Sequence, residues 1–203
     1  MVYQLENVNI KGAEGRIQGK YLRHRNVQAP CVLVCGPLTE ERESLGNVSL
    51  SSIFKLYGSN GYNVLYFSYR GTGGSEGCFE DLFDGVADAL TCFDWLTSKN
   101  DDSREFSVVG VQYGSSPALE ILTRRPEINE FLLINPSYDY ITLNHIMNHQ
   151  ASGQILIDDA HFKNKKESAQ KLKKQLEFNN TGTVQLVVVN PSLPALELAS
   201  QLG

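Results

Sequence analysis

Three groups of residues in this sequence have types and spacings that invite a chemical reading. Gly71-Thr72-Gly73-Gly74-Ser75-Glu76-Gly77 is a glycine-rich turn after an apolar run, a pattern that can cradle phosphate with backbone N–H groups. It lacks the Lys-Ser/Thr pair of a P-loop and has no acidic ribose reader at the expected distance, so a tight return from strand to helix is the expectation. His145 and His149 stand four apart on a predicted helix, the spacing of a metal pair. No glutamate accompanies them and no third ligand is evident, so they are expected at the surface and no metal is assigned. Cys31, Cys35, Cys78 and Cys92 include no C-x-x-C pair. Four strand steps separate Cys31 and Cys35 by roughly 13 Å, whereas a disulfide needs Cα atoms within about 7 Å. Reduced thiols, mostly buried, are expected.

The elements that must position such groups alternate along the chain. Apolar runs rich in β-branched residues occur at Cys31–Val34, Asn63–Phe67, Phe106–Val111, Phe131–Ile134, Gln154–Ile157 and Val184–Val189. Such runs suit strands covered on both faces of a parallel sheet. Between them lie helical patterns. Phe79–Leu96 carries Phe79, Leu82, Phe83, Val86, Leu90, Phe93 and Leu96 at helical spacing, with acidic residues near its start. Lys163–Phe178 has Ala169, Leu172 and Leu176 as an inner stripe, and its interleaved lysines read as a solvated face. Further helices fit Ser49–Gly58, Ser115–Arg124 and Leu193–Leu202. Tyr3–Ile10 and Gly15–Arg23 read as an antiparallel hairpin. The expected fold is α/β: a mostly parallel, doubly wound sheet with helices on both faces and an N-terminal antiparallel hairpin, in a single domain over residues 1–203. Ligands of such sheets bind at the carboxyl ends of the strands.

Composition narrows the partners. The 203 residues are 41% hydrophobic and 20% charged, with a formal net charge of −5. That balance offers no basic field for nucleic acid or anionic lipid. No apolar run approaches the roughly 18 residues of a membrane span, and the opening MVYQLENVNIKG lacks a signal-peptide pattern. A cytoplasmic protein is expected.

The segment Asn60–Gly77, NGYNVLYFSYRGTGGSEG, resembles the "G-[FY]-x-V-L-x-x-[DN]-x-R-G-x-G-x-S-x-G" stretch of α/β-hydrolases. The resemblance continues in Pro30–Pro37, Phe106–Pro117 and Arg125-Pro126-Glu127-Ile128, and it covers nearly the whole chain. It is to small, lidless bacterial members, and it implies an α/β-hydrolase fold without a lid and esterase-like chemistry. The catalytic positions depart from the pattern. The family's G-x-S-x-G elbow lifts a serine above the sheet. The matching residues here are Gly110-Val111-Gln112-Tyr113-Gly114, with Gln112 at the nucleophile position. A carboxamide is not an activated nucleophile. Ser115 and Ser116 fit the first turn of the following helix better than a shifted elbow.

The family's histidine base lies after the last strand. The corresponding Asn190-Pro191-Ser192-Leu193-Pro194-Ala195 has none, and no histidine follows His161. At the acid position the register places His161, with Asp158 and Asp159 beside it and Asp139 after the preceding strand. An orienting acid without its histidine has nothing to orient. The oxyanion loop reads Cys35-Gly36-Pro37-Leu38. The resemblance therefore implies a hydrolase scaffold without catalytic residues, kept to bind a small molecule or protein partner or to form a homo-oligomer. Gln112, Tyr113, Gly36 and Leu38 are its candidate binding residues, with no cofactor. The alternative is a hydrolase of another mechanism, using Cys35, His161 or a displaced acid. The elbow is expected to be closed over Gln112, because Tyr113 and Leu38 are bulky.

Overall fold

The computed structural model describes residues 3–38, 50–141, 149–178 and 181–189. In chain order the elements are β1 (Tyr3–Gly12), β2 (Gly15–His24), β3 (Cys31–Cys35), α1 (Leu50–Ser59), β4 (Asn63–Phe67) and α2 (Leu82–Lys99). They continue with β5 (Phe106–Val111), α3 (Ser115–Arg124), β6 (Ile128–Ile134), β7 (Ser152–Asp158), α4 (Asp159–Phe178) and β8 (Val184–Val189). One eight-stranded sheet has the order β1-β2-β4-β3-β5-β6-β7-β8. The β1–β2 and β2–β4 pairs are antiparallel and every later pair is parallel. This is the mostly parallel α/β sheet with an N-terminal antiparallel hairpin that the sequence leads one to expect. Among the described residues no helix is long and apolar enough to cross a membrane. The helix expected at Leu193–Leu202 lies outside the described residues.

Alternating strand residues feed two cores. One face, with Leu33, Leu65, Phe67, Val108, Leu133 and Ile155, packs on α2, α3 and α4 through Phe93, Leu96, Ile121 and Leu172. The other, with Val32, Val34, Val64, Val109 and Leu132, meets α1 through Ile53. The central strands read as continuous apolar runs because both faces are covered. The stripe Ala169, Leu172 and Leu176 of α4 is fully buried, as its spacing demands.

Two helices differ from expectation. First, α2 begins at Leu82 rather than Phe79, because Asp81 caps it. Asp81 accepts the Phe83 and Asp84 N–H groups, while Asp84 accepts the Asp81 N–H, closing a capping box. Phe83, expected inward, is 72% exposed. Val86, Phe93 and Leu96 face inward as expected, and the buried face also takes in Gly85, Asp88, Ala89 and Cys92. Second, α4 starts at Asp159 rather than Lys163, and its backbone breaks from helical geometry at Lys165.

Asp88 faces inward because of Arg70, the arginine of the glycine-rich stretch. Arg70 donates from its backbone N–H at 2.7 Å and from Nε and Nη2 at 3.0 and 2.8 Å to the Asp88 carboxylate. Its Nη1 reaches Asp84 at 2.8 Å and Glu14, in the β1–β2 turn, at 3.2 Å. The carboxyl of Asp84 is held below its usual range mainly by the Glu80 and Asp81 N–H groups, with Arg70 adding to the effect. The turn's own N–H groups are also consumed: Gly71 donates to Glu76 O, Gly74 to Gln18 Oε1, and Glu76 to Arg16 O. The glycine-rich segment is therefore a knot tying the hairpin to α2, not a phosphate cradle.

Arg70 and Asp88 are 5% and 1% exposed. Removing the Asp88 carboxylate leaves Arg70 paired with Asp84 and Glu14 but strips it of its backbone and side-chain hydrogen bonds to a buried charge, at a cost of about 1.5–3 kcal/mol. Asp88→Ala is expected to lower unfolding stability by that amount in urea titration. Phe83→Ser, on the exposed side of the same helix, is expected to change it by within about ±0.5 kcal/mol.

Candidate functional site

The carboxyl edge of the sheet is organised by how β5 becomes α3. Val111 is extended (φ −117°), and Gln112–Gly114 form a single tight 3-10 turn before α3. Gln112 has φ +51°, a left-handed conformation unusual for a residue with a Cβ. The flanking glycines make this turn possible. A Cβ on Gly114 would lie 2.0 Å from the Cys35 carbonyl oxygen, and one on Gly110 would lie 2.5 Å from Ser115 Cα. The strand leading to Gly36 thus packs directly against the turn, with no room for a side chain between them.

Gln112 is 4% exposed. Its carbonyl accepts the Ser137 N–H at 3.2 Å, which ties the elbow to the loop after β6. That loop is joined in turn to the end of β7. Asn135 Nδ2 donates to Asp158 Oδ2 and the Asp158 N–H donates to Asn135 Oδ1, both at 2.9 Å. Asn135 is the other described non-glycine residue with positive φ, at +44°. The sequence marks Asn135 as the start of a carboxyl-edge loop but assigns it no role. The available signal was an asparagine closing an apolar run ahead of Pro136, since asparagine tolerates the left-handed region.

Among the other candidates, Gly36 is buried and its carbonyl accepts the Tyr69 hydroxyl at 3.2 Å. Leu38 is half-buried against the core. Tyr113 is fully buried, its ring edge-on to Tyr69, Phe79 and Tyr140 at 5.4–5.9 Å between centroids. Its hydroxyl reaches α2, where a Cβ on Gly85 would lie 2.1 Å away. The ring therefore belongs to an aromatic cluster that joins α2 to the segments following β4 and β6. The side chains of Asp159 and His161 lie outside the described residues, as does the loop 190–195. Asp139 is 83% exposed, 3.9 Å from Lys165 Nζ.

The serines beside the elbow are committed elsewhere. Ser115 Oγ donates to Gly110 O at 3.3 Å, and Ser116 Oγ donates to Tyr140 O at 2.8 Å. Cys35 is fully buried, and burial pushes its thiol well above the ordinary range, which leaves it inert as a nucleophile. Cys31 and Cys92 are buried too, Cys78 is exposed, and all four are free thiols. The structure corrects the reading of His149. It lies in a β-bridge rather than on a helix, and it is 7% exposed, edge-on to Phe131 at 5.8 Å. His145 lies outside the described residues.

Residues 23–199 match the X-Pro dipeptidyl-peptidase (S15) family. Over 137 residues the chain is 34% identical to an uncharacterized protein of Rickettsia prowazekii (strain Madrid E). That match takes in 68% of this chain but 58% of the relative, so the chain spans little more than half of its length. A structure from Agrobacterium tumefaciens, of a protein of unknown function classed with the α/β hydrolases, superposes with TM-score 0.79 and 26% identity. It covers 97% of this chain and 93% of that one. An esterase from Pyrococcus furiosus gives TM-score 0.79 at 17% identity, covering 98% and 90% of the two chains. An α/β serine hydrolase without a lid from Xanthomonas campestris gives 0.78 at 17%, covering 98% and 92%. The last two share the fold.

Two measurements probe this region. Gln112→Ala removes buried contacts while keeping a Cβ in the left-handed conformation, and is expected to cost about 1–2 kcal/mol. Gln112→Gly removes the same contacts but relieves the backbone, so it is expected to cost about 1 kcal/mol less than the alanine variant. Equal losses in both would mean that Gln112 is unstrained. Burial, partly opposed by a hydrogen bond with the Ala151 backbone, holds the His149 imidazole below its ordinary value. The unfolded chain therefore binds a proton that the folded chain resists. Stability is full above about pH 6.5 and falls as the pH drops toward the folded-state value. The melting temperature of His149→Phe should lose less than the parent's between pH 7 and pH 5.

Proposed function

Because the chain belongs to the X-Pro dipeptidyl-peptidase (S15) family, a group of α/β hydrolases, we propose that it keeps the scaffold of a hydrolase without the chemistry. In this reading it is a pseudoenzyme that holds a small molecule or a protein partner, or pairs with its own copies, in the cytoplasm. The observation that carries the reading is the occupant of the elbow. The left-handed position from which a family member presents its nucleophile holds Gln112, whose carboxamide has neither a transferable proton of useful acidity nor a reactive lone pair.

The surroundings support the same reading. Ser115 and Ser116 spend their hydroxyl protons on backbone carbonyls. His24 and His149 lie toward the amino ends of the strands, away from Gln112, and the segment 190–195, which matches the family's base loop, contains no histidine. Loss of nucleophile and base together removes the parts that act as a unit in acyl transfer. Asp158, in the region that supplies a family acid, is bound to Asn135, so it serves here to hold two loops in register. The alternative of a thiol mechanism at Cys35 gains no support from a fully buried, unactivated sulfur.

The test is direct. The purified protein is expected to show no turnover above buffer with short-chain p-nitrophenyl esters or with Gly-Pro p-nitroanilide, and no labelling by a fluorophosphonate. Gln112→Ser alone is expected to remain unlabelled, because no base would activate the new hydroxyl. Stoichiometric labelling of the parent protein at Ser115 or Ser116 would restore the hydrolase reading.

A further inference from the structure

The end of the sheet opposite the elbow carries a cavity of about 360 Å³, within the range of small-molecule sites. Its floor is built from Asn63, the first residue of β4, and Asn100, the C-cap of α2, which are 1% and 6% exposed. Their side chains are locked by one another. Asn63 Nδ2 and the Tyr21 hydroxyl both donate to Asn100 Oδ1 at 2.8 Å. Asn100 Nδ2 donates to Leu96 O at 2.7 Å, and Asn63 Oδ1 accepts the His24 N–H at 2.6 Å. This network does two things. It satisfies a carbonyl at the C-terminus of α2, which weakens the negative end of that helix. It also fixes the backbone at His24, and so the two arginines on either side of it.

Those arginines are the second observation. Arg23, Arg25 and Lys99 line the cavity and are exposed. Among the described residues none of them forms a salt bridge; Lys99 instead rests over the Trp95 ring at 5.8 Å. The ionised lining is three cations against the carboxylates of Asp101 and Asp102. This is a positive excess in a chain whose net charge is −5. Tyr3 and Val27, 49% and 61% exposed, add an apolar wall.

We propose that this cavity binds an organic phosphate monoester with a planar or apolar tail. A planar carboxylate fits one guanidinium fork at a time, whereas the tetrahedral oxygens of a phosphate dianion can be shared between two forks and an ammonium. The tail lies on Tyr3 and Val27, and the preorganised asparagine floor needs no rearrangement to receive the ligand. The site is separated from Gln112 by the length of the central strands, roughly 13 Å along β4. It therefore stands whether or not the elbow is catalytically silent.

Calorimetric titration of the full chain with phenyl phosphate tests this. Benzoate, phenol and inorganic phosphate serve as comparators. Saturable binding of phenyl phosphate is expected, weakened by added salt and reduced at least about tenfold in Arg23→Gln/Arg25→Gln. Both arginines are exposed, so the double variant should melt at the parent's temperature. Backbone amide shifts at His24 and Asn100 should follow the titration in the parent protein. Absence of saturable binding at millimolar phenyl phosphate, or affinity unchanged in the double variant, would overturn the proposal. Benzoate binding as tightly as phenyl phosphate would overturn the phosphate assignment, and inorganic phosphate doing so would overturn the tail.

Discussion

The contact of Gly114 with the Cys35 and Gly36 carbonyls is the constraint on which the carboxyl edge of this protein depends. Strand β5 must become α3 within three residues while β3 ends directly against it. With 2.0 Å from a hypothetical Cβ to the Cys35 oxygen, only hydrogen fits there. Once Gly110 and Gly114 let the two segments close, the residue between them is forced to positive φ. The Gln112 carbonyl then meets the Ser137 N–H, and Asn135 passes the restraint on to Asp158. Three loops from three neighbouring strands are held in register by one sterically enforced turn.

A second restraint acts on the other side of the same edge. Arg70 gathers Asp88, Asp84 and Glu14 from α2 and the hairpin turn. The pair with Asp88 is buried, and burying charge is favourable only when geometry and hydrogen bonding are complete. Here the Asp88 carboxylate receives both side-chain and backbone donors of one residue. The hairpin, which extends beyond the parallel part of the sheet, is anchored to α2 both through this network and through Ile10, Ile17 and Tyr21, which share the buried core with α2. Its outer strand β1 exposes Tyr3 and Leu5.

The sequence made the sheet legible because the central strands are apolar on both faces, so their runs are continuous and their boundaries marked by glycine, proline or asparagine. The elbow was legible from two glycines at fixed spacing. What resisted reading was polar and inward. The apolar periodicity of α2 placed Phe83 inside, because hydrophobicity alone has no means of scoring Asp88 as a core residue. Only the arginine 18 residues earlier in the chain makes that position buried. Likewise the His145/His149 spacing suggested a helix, whereas His149 lies in a bridge beside Phe131, its carbonyl accepting the Thr181 N–H from a distant part of the chain, which local spacing does not encode. The role of Asn135, beyond opening a loop, was unreadable for the same reason: its partner, Asp158, is 23 residues away.

A strained residue at the position that matches the family's nucleophile invites the inference that strain is kept for chemistry, since left-handed non-glycine residues gather at functional sites. The geometry supplies a sufficient cause without chemistry. The strain at Gln112, of order 1–2 kcal/mol, is imposed by the close approach of β3 to the elbow, and relaxing it would separate two central strands whose residues are all buried. Losing even one large side chain's burial there costs about 2–5 kcal/mol, more than the strain itself. The elbow is therefore stable as a packing device whatever residue occupies it. Its persistence is no argument for hydrolysis, and the identity of the side chain it presents is what decides the chemistry.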